Sequence, residues 1–182
     1  MPEARAPVTP EFSRLYAPED LEEGITTVQL VATDTERTAL AKRFGLMELR
    51  HLSANVTLSR EPDPTRPILM SAQIRGTVVQ ECVVSLVPIS SVIDERFNCE
   101  FAPSDAPKPD KLEIDIDPDG EDPPEPIING LFDAGELIAE HFGLYLEAFP
   151  RAEGAKFDPS TISSDKDEAE ENPFSILKKL HE

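Results

Sequence analysis

At 182 residues the chain has room for one domain of about 100–150 residues with a buried core, plus tails, and none for two full enzyme domains. Eighteen prolines against 8 glycines, and a hydrophobic share of 39%, leave stretches that cannot be regular structure. A formal net charge of −19 opposes approach to nucleic-acid phosphates and draws in cationic proteins.

No apolar run nears the roughly 18 residues of a membrane helix, and no apolar signal core follows the amino terminus. With only Cys82 and Cys99 present, free thiols and a cytoplasmic protein are the expectation. Residues 1–11 carry three prolines and read as a disordered leader, with order starting at Phe12. From Thr26 to Thr33 polar and apolar residues alternate, which predicts a strand with Val28, Leu30 and Ala32 on one face. Thr33 and Glu36 then form a capping box, and Gly45 stops the helix predicted for 34–44. Leu52, Ala54, Val56 and Leu58 recur every second residue in a second strand over 46–58. From Ile68 to Phe101 the chain is rich in Val, Ile, Thr and Ser, which predicts successive antiparallel strands with bends at Gly76 and Pro88. Cys82 and Cys99 each stand within a strand-like run there.

Seven prolines among acidic residues make 103–126 a long acidic loop. Asp133 and Glu136 form a D-x-x-E cap before Leu137, Ile138, Phe142, Tyr145 and Leu146, so a helix is expected over 133–146. Gly143 within it points to close packing or an early end, and Pro150 closes the segment. Residues 151–171 read as a flexible acidic tail. Asn172 and Pro173 then open a short amphipathic helix bearing Phe174, Leu177 and Leu180, a stripe that either docks back on the domain or enters a partner's groove. Residues 100–182 hold 7 basic against 22 acidic groups, so most of the negative charge lies in the carboxyl half.

The run Asp115-Ile-Asp117-Pro-Asp119-Gly120 matches the opening of an EF-hand loop. Its twelfth position, which needs a bidentate Glu, is Pro126, so a solvated loop is the better account. Cys82, Cys99, His51, His141 and His181 lack the paired spacing of a zinc site. No nucleophile elbow, phosphate loop or dinucleotide fingerprint is present, and carboxylates are too common here to mark acid–base roles. No metal, cofactor or catalytic residue is assigned.

The run from Gly76 through Cys82 and Leu86 to Pro88, followed by the segment from Asp133 through Leu137 and Leu144 to Pro150, resembles the YceD family. Its members are bacterial and plastid proteins whose pattern sets a cysteine before Leu and Pro in a strand pair, then an acidic segment, then a helix ending in L-x-L-P form. Many carry a pair of cysteines at the first motif, of which this chain has one, Cys82. The resemblance extends to the 35–41 helix and to Asn172-Pro173-Phe174. It implies a role in accumulation of large-subunit (23S) ribosomal RNA and brings no catalytic residues.

The expectation is therefore an α+β fold: a predominantly antiparallel domain over 12–150 with two helices, an acidic Pro-rich loop and an acidic carboxyl-terminal tail over 151–182. Its function would be that of a noncatalytic, monomeric assembly factor that binds a basic ribosomal protein or a large-subunit assembly intermediate. Asp115, Asp117, Asp119, Glu121 and Asp122 would supply charge, and Phe174 and Leu177 the apolar anchors. The alternative is an RNA-binding module using Arg37, Lys42, Arg43 and Arg50. An enzymatic role for Asp133 and Glu136 ranks behind both.

Overall fold

In the computed structural model, which describes residues 10–103 and 123–157, the alternation that starts at residue 24 becomes four long antiparallel strands. They are β2 (Gly24–Val31), β3 (Glu48–Arg60), β4 (Ile68–Glu81) and β5 (Pro88–Pro103), after a two-residue β1 (Leu15–Tyr16). A short β6 (Glu125–Ile127) adds to the end of β5 in parallel, giving the sheet order β2-β3-β4-β5-β6. The outer pair β1 and β7 (Phe132–Asp133) forms a separate two-stranded ribbon.

Register explains why one face is dry. Val28 lies opposite Val56, Val56 opposite Ala72, and Ala72 opposite Phe97, so a single row of apolar side chains crosses four strands. The neighbouring row, Thr27, Thr57, Ser71 and Asn98, points the other way and stays polar, as the period of two requires. Leu52, Val56, Leu58, Met70 and Ile74 are fully buried on the inner face.

Two helices cover that face. In α1 (Asp34–Phe44), the Thr33 hydroxyl accepts from the Glu36 amide and the Glu36 carboxylate accepts from the Thr33 amide, the expected capping box. Gly45 ends it at φ 65°, a left-handed conformation that glycine adopts without penalty. In α2 (Ala134–Leu144), Asp133 Oδ1 accepts from the amides of Gly135 and Glu136. The same carboxylate accepts from Ser13 Oγ and the Arg14 amide, so the helix cap also anchors the amino-terminal segment. Phe44 and Phe142 meet edge-on at 5.9 Å and join the helices.

The α+β class and the antiparallel bias agree with the sequence reading, and four particulars differ. Gly76 is not a bend: it sits inside β4, paired with Leu52 and Ile93, because a Cβ there would lie 2.6 Å from the Phe142 ring. Cys82 is not in a strand, since β4 ends at Glu81 and residues 82–87 turn before β5 begins at Pro88. Of the acidic loop expected over 103–126, Pro103 belongs to β5 and Glu125 and Pro126 pair with β5, while residues 104–122 lie outside the described residues. Helix α2 stops at Leu144, two residues early, as the chain turns to lay Tyr145 against Arg96, whose carbonyl accepts from the Tyr145 hydroxyl. Gly143 is the close-packing case: a Cβ there would meet Phe44 at 2.8 Å.

Candidate interaction site at the β4–β5 turn

Of the residues singled out from sequence, Asp115, Asp117, Asp119, Glu121, Asp122, Phe174 and Leu177 lie outside the described residues, as does His181. The motif positions Cys82, Leu86, Pro88, Leu137, Leu144 and Pro150 are described. Leu137 belongs to the core under α2, whereas Leu144 projects from the helix end. Cys82, Leu86, Pro88 and Pro150 come together at one end of the sheet.

The turn is built by its own backbone. The Cys82 amide donates to the Val87 carbonyl and the Leu86 amide to the Cys82 carbonyl, both at 2.9 Å. Leu86 adopts φ 59°, a left-handed conformation that costs a bulky residue about 1–2 kcal/mol. Such strain persists only where surrounding bonds over-determine it. Those bonds come partly from afar: the Val83 amide donates to the Pro150 carbonyl at 2.9 Å, and Gln80 Nε2 to the Glu147 carbonyl at 2.9 Å. The stretch after α2 is thereby clamped to the turn.

Cys82 Sγ is the hub of that clamp and is fully buried. It accepts from the Ala152 amide at 3.3 Å and from the Val84 and Ser85 amides at 3.4 Å. These donors, Ala152 foremost, stabilise a thiolate and bring the thiol pKa down from 9.0 to about 6. Cys99 behaves oppositely, since burial beside Glu125 and Glu100 pushes its thiol up to about 12.

Near the hub several apolar side chains are exposed. Leu86 is 66% exposed and Phe149 76%, and Val83 and Val87 of the same turn are exposed as well. Met47, also exposed, lines the depression between α1 and β3 instead. Residues 83–87 lie within the 68–101 stretch expected as successive strands. The signal against a strand there is the loss of alternation after Val79, because five successive residues without period two cannot all face a core.

The basic residues of the alternative reading are largely engaged. Arg37 pairs with Asp34 at 2.8 Å, Arg50 with Glu48 at 2.8 Å, and Arg43 with Glu11 at 3.0 Å and Glu136 at 2.9 Å. Arg37, Lys42 and Arg50 share one shallow depression between α1 and β3, while Arg43 faces α2. Asp133 and Glu136 are structural, the first capping α2 and the second holding Arg43. His141 stacks flat on Phe97 with ring centroids 3.7 Å apart. Among the described residues no three His, Cys, Asp or Glu side chains gather as a metal would require. No described helix is long and apolar enough to cross a membrane.

A mostly antiparallel sheet under two helices, with the β4–β5 turn clamped to the chain that leaves α2, defines an α+β protein. The family model described as large ribosomal RNA subunit accumulation protein YceD matches residues 70–181, a span that holds the turn, α2 and the segment beyond, and the chain belongs to that family. No curated protein and no solved structure gives a significant match to the chain.

Proposed function

We propose that the chain is a noncatalytic factor that supports large-subunit ribosomal RNA accumulation by binding a basic ribosomal protein or an assembly intermediate in the cytoplasm. The family's description supplies the role in large-subunit RNA accumulation. The observation that carries the mode of contact is the net charge of −19, which steers a cationic protein toward this chain and raises the barrier to bare phosphate. Asp115, Asp117, Asp119, Glu121 and Asp122 are the proposed charge contacts, and Phe174 and Leu177 the proposed anchors. Ion pairing of Arg37, Arg43 and Arg50 supports this reading over direct RNA binding, because each guanidinium already has a carboxylate partner.

Capture of the tagged chain from gently lysed cells at low salt tests it. Recovery of immature large-subunit proteins, lost when the five carboxylates are changed to amides, is the expected result. Recovery of ribosomal RNA without ribosomal protein, weakened by Arg50→Glu and falling steeply with salt, would replace it with the RNA-binding reading.

A further inference from the structure

We infer that the open edge of β2 is a docking site for an extended segment of a cationic protein, which adds to the sheet as a further strand. β2 stands at one end of the order β2-β3-β4-β5-β6, and among the described residues no strand pairs with its outer side. The Ala32 amide donates to the Leu52 carbonyl of β3, so even-numbered residues of β2 turn their main-chain groups toward β3, and Ile25, Thr27, Gln29 and Val31 turn theirs away from it. The Val31 carbonyl accepts from Arg14 Nη2 at 3.2 Å, whereas the outward groups of Ile25, Thr27 and Gln29 have no partner among the described residues. Edges of this length are normally blunted by charge, proline or a bulge. Residues 24–33 contain no charged residue and no proline in a chain of which 29% is charged, and the β2–β3 register runs unbroken.

Charge selects the occupant. Glu19, Asp20, Glu22 and Glu23 lead into Gly24, all four are exposed, and none is in an ion pair among the described residues. Arg60, opposite Gly24, is turned to the Leu21 carbonyl at 2.8 Å. A strand running antiparallel to β2, as β3 does, lies along the uncharged edge and meets the acidic residues at its own carboxyl end, where lysine or arginine is favoured. Ile25 and Val31, 74% and 48% exposed, offer apolar contacts to its alternate side chains. A second copy fits worse: β2 paired antiparallel with itself so that Ile25 meets Val31 sets Glu22 of one copy against Asp34 of the other. That the cationic partner is ribosomal rests on the function proposed above; the open edge and its acidic end do not.

The probe is a peptide of alternating threonine and valine ending in two lysines, added to the full chain, with amide hydrogen exchange read by NMR. Exchange at Ile25, Thr27 and Gln29 should slow on binding, and affinity should be about tenfold lower when glutamates replace the lysines. Glu22→Lys with Glu23→Lys, both on exposed side chains, should remove that preference. Thr27→Pro takes away an outward donor and leaves the β3 pairing intact, so it should abolish binding, with circular dichroism checking that the fold is kept. No binding, protection at other amides, or equal affinity for the lysine and glutamate peptides overturns the inference. Slow exchange at these three amides before any peptide is added also overturns it, since the edge is then taken by the chain itself or by a second copy. Because the probe is a defined peptide, the outcome is independent of whether ribosomal proteins are captured from cells, and failure of either reading is seen separately.

Discussion

Replacing Gly135 with alanine sets two effects of opposite sign against each other. Alanine in place of glycine in a helix is worth about 1 kcal/mol in propensity, so local reasoning expects a gain. In the folded chain a Cβ at this position would stand 2.6 Å from the Phe12 carbonyl oxygen and 2.7 Å from the Arg14 nitrogen. Both are backbone atoms, so the 12–14 segment must retreat from α2. That retreat strains the Arg14 amide bond to Asp133 at 2.7 Å and the Ala134 amide bond to the Arg14 carbonyl at 3.1 Å. A bond to a charged group contributes about 1.5–3 kcal/mol and a neutral one about 1 kcal/mol, so the loss exceeds the propensity gain by roughly 1.5–3 kcal/mol. For a chain of this size the melting temperature should fall by about 3–12 °C. Urea denaturation with an unchanged slope would show that the native contact is what was lost. The reasoning is refuted if Gly135→Ala is as stable as the parent or more so. Gly143→Ala is the comparison: its Cβ meets only the edge of the Phe44 ring at 2.8 Å, and a ring can tilt, so a smaller loss is expected.

Gly76→Ala should cost about 1–3 kcal/mol by driving the Phe142 ring out of place. In a double-mutant cycle Phe142→Leu should relieve part of that loss, whereas simple additivity would deny the contact. Glu36, bidentate to Arg14 at 2.7 and 3.1 Å, has its pKa lowered from 4.5 to about 2. Its stabilisation is therefore complete above pH 4.5 and lost as pH falls through about 2. Glu36→Gln should remove about 1–2 kcal/mol at neutral pH, after allowance for solvent screening, and flatten the acid limb of a stability–pH curve. Cys82 titrates from its folded value of about 6 to its ordinary 9.0, so its contribution is complete above pH 9 and is lost as pH falls through 6. Thiolate absorbance should rise near pH 6 in the native chain and be missing there in Cys82→Ser, whereas a rise only near pH 9 would contradict the geometry around Sγ.

Local signals were legible wherever the chain satisfies itself. The Thr33–Glu36 box and the Gly45 stop set α1 because donors and acceptors three residues apart meet within one helical turn. The alternations over 26–33 and 46–58 name the inward faces of β2 and β3, since side chains on a strand alternate by geometry alone. Asp133 was legible as a cap, though not as the acceptor for Ser13 and Arg14, which approach it from the other end of the sequence.

What tertiary structure decided are contacts between distant residues. Gly76 reads as a punctuation mark in isolation, and only the ring of Phe142 makes it the residue that lets α2 lie on the sheet. Cys82 reads as a free thiol within a strand-like run, yet its amide donors include Ala152, 70 residues away. Residues 83–87 have strand composition but form the turn that joins β4 to β5. The sequence by itself determined α1, the start of α2 and the inward faces of β2 and β3, because those depend on spacing of a few residues. The apolar turn and its clamp depend on where the chain returns after α2, and that is settled only when the sheet and helices pack together.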